Sequence, residues 1–267
     1  MSAHGIDDGP ALPIANEDTI RECEDRAFRA WPAESTHRLT GWVVRSATLS
    51  TTRRTNSVFA GPVDDSINLD ALFRQVESFY GNMGIPPRFQ ITPVSSPIDL
   101  DARLDDRGYT AEGWSSVAWA QSSDVIIKSG DTIDDVLISP TMTDEWADIY
   151  TKSISAADDP KARLALFNRI KCQKAHVTAS KDGVPIAIGL GIFDSGWTGV
   201  FAMFTLPEFR RQGLAHGIVG ALADWTQTLG GDHMYLQVED SNDVSWSVYE
   251  RCGFHPEYQY HYRTKLN

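Results

Sequence analysis

"WTGVFAMFTLPEFRRQGLAHGIVGALADW" occupies residues 197–225. Its first ten residues are aromatic and β-branched, which predicts a largely buried strand. From Leu214 onward, Leu214, Ile218, Leu222 and Trp225 recur at helical spacing, and Gly230-Gly231 predicts the helix end. Between strand and helix stand two arginines, a glutamine and a glycine. A helix begins with unpaired backbone N–H groups, and cations beside them suit an anion.

Working outward, "EDTIRECEDRAFRAW" reads as a helix, followed by strands in "GWVVRSATL" and "TNSVFA". A second amphipathic helix in "NLDALFRQVESFYGNMG" ends at glycine. "RFQIT", the helix "DLDARLDDRG" and the strand "SSVAWAQ" follow, and residues 121–135 read as a crossing between units. Then come "VLIS", helices in "TDEWADIYTKS" and "DPKARLALFNRI", and strands "KAHVTAS" and "PIAIGLGIF".

The chain's 267 residues allow one large or two modest domains. A net charge of −12 and a pI of about 4.9 argue against nonspecific nucleic-acid binding. Both halves carry this balance, with 12 basic and 18 acidic residues in 1–130 and again in 131–267, so neither is a charged tail. Three widely spaced cysteines (Cys23, Cys172, Cys252) indicate neither a disulfide framework nor a metal site. "MSAHGIDDGPALPIANED" lacks the basic-then-apolar order of a leader peptide. The longest apolar stretch, "VPIAIGLGIF", is too short to cross a bilayer, so no membrane partner is expected and a soluble cytoplasmic protein is the default.

The halves echo one another. "VFA" at 58–60 returns at 200–202, each time before a long amphipathic helix, and "LDDRGY" (104–109) returns as "YERCGF" (249–254). The order strand–helix–strand–helix–strand is shared, which predicts a duplicated fold with domains 1–128 and 129–267. The first copy lacks "RRQGLA" and has Leu104 where the second has Tyr249. The duplication therefore extends to the scaffold and not to the chemistry.

"RRQGLA" fits Arg/Gln-x-x-Gly-x-Gly/Ala, with Arg210, Gly213 and Ala215 at the fixed positions and Arg211, Gln212 and Leu214 between them. Such a loop turns successive N–H groups toward one point, a cradle for a pyrophosphate. Gly213 lets the backbone approach the phosphates, and Ala215 keeps the next position small. Further on, "NDVSWSVYERCGF" (242–254) resembles N-x-x-A-x-x-L-Y-x-x-x-G-F. Asn242 suits a helix cap that also reaches a ligand amide. Tyr249 lies seven residues on, on the same helix face, and Gly253 suits the helix end.

In this order and separation the two motifs resemble the signature of the GNAT superfamily of acetyl-coenzyme A-dependent N-acetyltransferases. The likeness covers about residues 131–267. It implies an α/β (α+β) fold with a mixed, mostly antiparallel sheet, splayed between its fourth and fifth strands and flanked by helices. The cofactor's pantetheine arm would lie in the gap, bound by the backbone of Met203, Phe204 and Thr205. Residues 15–120 resemble the reduced GNAT-like domain that precedes the catalytic one in some bacterial two-domain acetyltransferases. The acceptor implied is a primary amine on a small molecule. Alternatives are a protein lysine or N-terminus, or a noncatalytic acyl-coenzyme A sensor.

The chemistry asks for three groups. A lysine-like amine, with a pKa of about 10.4, must lose a proton before it attacks a thioester. The oxyanion needs donors, which the family supplies from backbone N–H groups of the fourth strand. The leaving thiolate needs a proton, and Tyr249 can supply it. The fourth strand carries no carboxylate here. Glu239, with Asp240 beside it, is then the nearest base. Asp194, or Asp158 and Asp159, are alternatives acting through water, while His216 would face phosphate.

Overall fold

The computed structural model describes residues 12–64, 66–130 and 135–266. Most of the polar lead read for a leader peptide, residues 1–11, lies outside them, as do residues 131–134 of the expected crossing. Helix α1 (Glu17–Ala30) starts with a capping box, in which the Asn16 side chain accepts from Thr19 N–H and Thr19 Oγ1 accepts from Asn16 N–H. Strands β1 (Ser35–Leu39), β2 (Trp42–Ser46) and β3 (Val58–Ala60) follow, then α2 (Leu69–Asn82), β4 (Arg88–Ile91), α3 (Leu100–Asp106), β5 (Thr110–Gln121) and α4 (Ser122–Ser129). Next come β6 (Val136–Ser139), α5 (Asp144–Thr151), α6 (Pro160–Arg169), β7 (Gln173–Lys181) and β8 (Val184–Asp194). The chain continues through β9 (Trp197–Thr205), α7 (Leu214–Thr228), β10 (His233–Glu239), α8 (Asp243–Arg251) and β11 (His255–Thr264).

Two segments differ from the sequence reading. β1 is absent from it because "STHRL" has no apolar alternation; four of its five residues are exposed, and its register with β2 holds it as a strand. Residues 122–129 are helix α4 rather than a crossing: Val125 is fully buried, and Ser122 N–H donates to the Asp232 carbonyl at 2.8 Å.

The residues sort into two compact units. One comprises Asn16–Ser116, Ile154–Lys171 and Tyr258–Asn267. Its strand order is β1-β2-β3-β4-β11-β5, with β3 and β4 parallel and β4 antiparallel to β11. Trp42 packs on Phe73 and Phe89 at 5.4 and 5.2 Å between centroids, and Phe89 meets Tyr109 at 5.7 Å. Leu104 is fully buried in this core.

The other unit is built mainly from Val117–Ser153 and Cys172–Glu257. Its order is β5-β10-β9-β8-β7-β6, a mixed sheet in which β6 to β9 are antiparallel and β9 and β10 parallel. The glycines of "IGLGIF" explain how α7 lies so near β8. A Cβ at Gly189 would stand 2.5 Å from Ile218 Cγ2, and one at Gly191 would stand 2.6 Å from Leu222 Cδ2. The sequence repeat divides the chain near residue 128, whereas the spatial units interleave. Each unit includes strand residues from the other half of the sequence: Tyr258–Asn267 belongs with the first strands, and residues 117–121 of β5 with the last ones.

Candidate active site

The site begins with an irregularity in β9. Pairing with β8 steps from Ile188–Phe204 to Leu190–Phe201, so three residues of β9 advance against two of β8. Ala202 absorbs the extra residue at φ +49°, a left-handed conformation that a non-glycine side chain adopts only under constraint. Gly189 faces this bulge. Its carbonyl accepts from Trp146 Nε1 at 3.0 Å, and Met203 Sδ lies where a Cβ would otherwise sit.

β9 and β10 then part. Their parallel ladder runs from Trp197–His233 to Val200–Leu236, yet β9 continues to Thr205 and β10 to Glu239. Met203, Phe204 and Thr205 thus lie on the stretch of β9 beyond the ladder, each half-buried. A bulge followed by a diverging neighbour leaves backbone donors and acceptors available to a ligand.

Past β9 the chain enters α7 through Gly213, at φ +81° and without a side-chain cap. Across this start Gly217 N–H donates to the Gly213 carbonyl at 3.1 Å. The N–H groups of Leu214, Ala215 and His216 precede it, at the positive end of the helix dipole. Arg211 (φ +61°), Gln212 and Gly213 are exposed, while Leu214 is buried and pins the helix to the core. No acidic residue occupies the first turn. Arg210 turns back on β9, donating from Nε to the Thr205 carbonyl at 3.2 Å, with its guanidinium 5.9 Å from the Phe204 ring centre. His216 is held below the usual imidazole range by burial and by the Arg251 cation. Helix α2, which follows the other "VFA", has a closed start: the Asn68 side chain accepts from Ala71 N–H, and Asp70 stands in the first turn.

Asn242 is the N-cap of α8, its Oδ1 accepting from Ser245 N–H at 3.1 Å. Tyr249 lies on the same helix, half-buried against the core, its ring 6.1 Å from Phe254. Burial, with the Cys252 thiol adding to it, pushes the phenol up to about 12. Gly253 ends the helix at φ +95°. Glu239 is exposed at the end of β10, and its carbonyl accepts from Asn242 N–H at 2.8 Å, which ties the strand end to the helix start.

The other carboxylates proposed as bases have structural work. Asp158 is buried in the other unit, accepting from Thr51 N–H at 2.6 Å and Thr51 Oγ1 at 3.0 Å and lying 3.4 Å from Arg163. Asp159 caps α6 through Lys161 and Ala162 N–H. Asp194 sits at the opposite end of β9 from the bulge, where it accepts from Ser195 Oγ. Glu239 and Asp240 keep their places at the end of β10.

Sequence reasoning missed Gln237. It lies on β10 one residue beyond the ladder, with Nε2 and Oε1 both buried and both without a hydrogen-bond partner. Among the described residues no group of three or more His, Cys, Asp or Glu could hold a metal ion, and no helix is long and apolar enough to cross a membrane. The three cysteines are free thiols.

Known proteins resemble this chain along most of its length. A family model described as "Probable histone acetyltransferase Rv0428c C-terminal" matches residues 18–263. A Bacillus subtilis (strain 168) protein described as uncharacterized N-acetyltransferase YobR is 26% identical over 253 residues, covering 93% of this chain and 99% of that protein. The solved GCN5-related N-acetyltransferase from Kribbella flavida superposes with a TM-score of 0.70 at 16% identity, over 96% of this chain and 97% of that one. A tandem GNAT protein from the clavulanic acid biosynthesis pathway superposes at 0.63 with 11% identity, over 96% and 89%. The fold is that of the GNAT superfamily.

Proposed function

We propose, from the premise that the chain belongs to the "Probable histone acetyltransferase Rv0428c C-terminal" family, that it moves an acetyl group from acetyl-coenzyme A to a primary amine of a small molecule within a ternary complex. One observation carries the reading. An uncapped helix start, a bulged strand parting from its neighbour, and a protonated tyrosine all belong to one unit.

Acetyl-coenzyme A, when bound, supplies an activated acetyl thioester. The N–H groups of Leu214, Ala215 and His216, with Arg211, Gln212 and Gly213 before them, hold its pyrophosphate. Arg210 contributes by fixing the end of β9 to the loop. The backbone of Met203, Phe204 and Thr205 would pair with the pantetheine amides, Asn242 would help from the start of α8, and a backbone N–H at the bulge would stabilise charge on the acetyl oxygen. Glu239 takes the ammonium proton through water.

Tyr249 Oη gives a proton to the departing sulfur. A phenol near 12 is a weaker acid than an ordinary thiol near 8.5, so the transfer in water would run uphill. A thiolate released where water is excluded would be raised by desolvation in the same way, which narrows this difference.

The closed start of α2 supports one acetyl-coenzyme A per chain, with residues 1–128 as a degenerate copy that lacks the cofactor loop. The family's description favours a protein lysine as the second reading. Thiol release with a panel of small amines and lysine peptides separates the two. Tyr249→Phe should cut kcat by about 10²–10⁴-fold and leave acetyl-coenzyme A affinity in place. Wild-type kcat in that variant refutes the tyrosine's role. Tight acetyl-coenzyme A binding without transfer to any acceptor would instead make the chain a sensor.

A further inference from the structure

In the unit that holds the candidate site the outermost strand is β6, and among the described residues none pairs with its outer side. It is short, uncharged and apolar. Leu137 is 56% exposed and Ile138 37%, while Val136 rests against the core. Sheet edges are usually blunted by a charge, a bulge or a proline, because they offer unpaired N–H and carbonyl groups to another chain. β1, the outer strand of the other unit, is blunted in that way, being polar and carrying Arg38. β6 has no charged residue, and its register with β7 runs without a bulge.

The pairing of β6 with β7 decides which of its main-chain groups are on offer. Ser180 N–H donates to the Asp135 carbonyl at 2.9 Å, and this pair continues the register in which Val136 faces Ala179 and Leu137 faces Thr178. Hydrogen-bonded and non-hydrogen-bonded pairs alternate along an antiparallel ladder. Asp135, Leu137 and Ser139 therefore turn their main-chain groups toward β7. Val136 and Ile138 turn theirs outward.

Such an edge fits its own copy, and in one register best. A two-fold axis at Leu137 lets Val136 exchange N–H and carbonyl bonds with Ile138 of the second copy, and Ile138 with its Val136. Leu137 then meets Leu137 of the second copy as a non-hydrogen-bonded pair, the arrangement that brings side chains closest. The Val136–Ile138 contacts form on the opposite face, so both faces of the joined edge gain apolar contact. Asp135 falls opposite Ser139 and not opposite a second carboxylate. Moving the axis to Ile138 sets Val136 against Pro140, which has no N–H, and moving it to Val136 sets Leu137 against Asp135. Charge points the same way: at −12, copies of the chain repel, and an uncharged edge is where they approach most easily.

We infer that β6 is an interaction surface for a second copy of this chain, joined antiparallel and edge to edge about a two-fold axis at Leu137. The inference is independent of acetyl transfer. Its test is sedimentation velocity over a concentration series. The wild type should pass from monomer to dimer, and Leu137→Lys, which sets two ammonium groups opposite each other, should weaken the dimer about 10-fold or more. The side chain is exposed, so Tm should stay at the wild-type value. A monomer at every concentration leaves the edge to water or to another protein and overturns the inference. A dimer that Leu137→Lys does not weaken places the contact elsewhere and also overturns it.

Leu137→Cys adds a geometric arm that does not rely on the lysine variant. Opposed Cα atoms in a non-hydrogen-bonded pair stand about 4.5 Å apart, within the disulfide range of about 4.4–6.8 Å. Mild oxidation should therefore crosslink Leu137→Cys chains into dimers. Val184→Cys is the control, since Val184 is as exposed, at 58%, but lies on β8. Both are judged against the wild type, which carries its own three free thiols. Failure of Leu137→Cys to crosslink, or equal crosslinking of Val184→Cys, overturns the pairing.

Discussion

Gly189→Ala tests whether the bulge and the cradle are one mechanical piece. The added Cβ would stand 2.5 Å from Ile218 Cγ2 and 2.7 Å from Met203 Sδ, where carbon atoms normally approach to about 3.5–4.0 Å. The contacts must open by about 1 Å. Met203 is half-buried and its thioether can swing aside. Ile218 is fully buried on α7, so its relief requires a strained rotamer or a shift of the helix. Overpacking of this kind costs about 1–3 kcal/mol, which for a chain of this size is about 2–12 °C in Tm. Because α7 carries the cradle N–H groups, acetyl-coenzyme A affinity should fall with Tm, by about 10-fold or more. Differential scanning fluorimetry and titration calorimetry read the two quantities. Gly81→Ala is the control: a Cβ there meets nothing within 4 Å, and alanine in a helix should stabilise by about 0.4–1 kcal/mol. Wild-type Tm and Kd in Gly189→Ala would refute the coupling, and a loss of Tm at constant Kd would show that α7 stays in place.

The remaining predictions concern binding and pH. Gly213→Trp, at φ +81°, should weaken acetyl-coenzyme A binding by blocking backbone approach to phosphate, and calorimetry showing an unchanged Kd in folded protein removes the loop from the site. The same titration of the wild type should give one site per chain, and two equivalent sites would contradict the closed start of α2. Burial lowers His176 to about 4 from 6.5, so between these values the unfolded chain binds more protons than the folded one. Its contribution is therefore complete above pH 6.5 and is lost as pH falls toward 4, about 3 kcal/mol in all. Urea melts of His176→Phe at pH 7 and 4.5 should show a smaller pH difference than the wild type, and an equal difference discards the assignment.

Legibility in the sequence followed the physics of each segment. β9, α7 and α8 were readable because apolar spacing, a glycine before the first turn of α7 and one after α8 each act within a few residues. β1 was not, since an exposed edge strand owes its conformation to β2 and its own composition is polar. The interleaved units were not readable either, because pairing of β11 with β4 joins residues about 170 apart, which no local pattern reports. Asp158 looked like a loop carboxylate available to a substrate, and it is held by Thr51, 107 positions away.

Gln237 shows the limit of local reading. A lone glutamine in "MYLQVED" carries no signal, and neither does the one in "RFQIT". Only strand register tells them apart: Gln90 lies beside Arg45, which donates to it and to Ser57, whereas Ile192 and Gly199 stand opposite one another on β8 and β9, the next two strands from Gln237. Pairing across strands decides whether a buried amide is satisfied, and no pattern within one strand reports it.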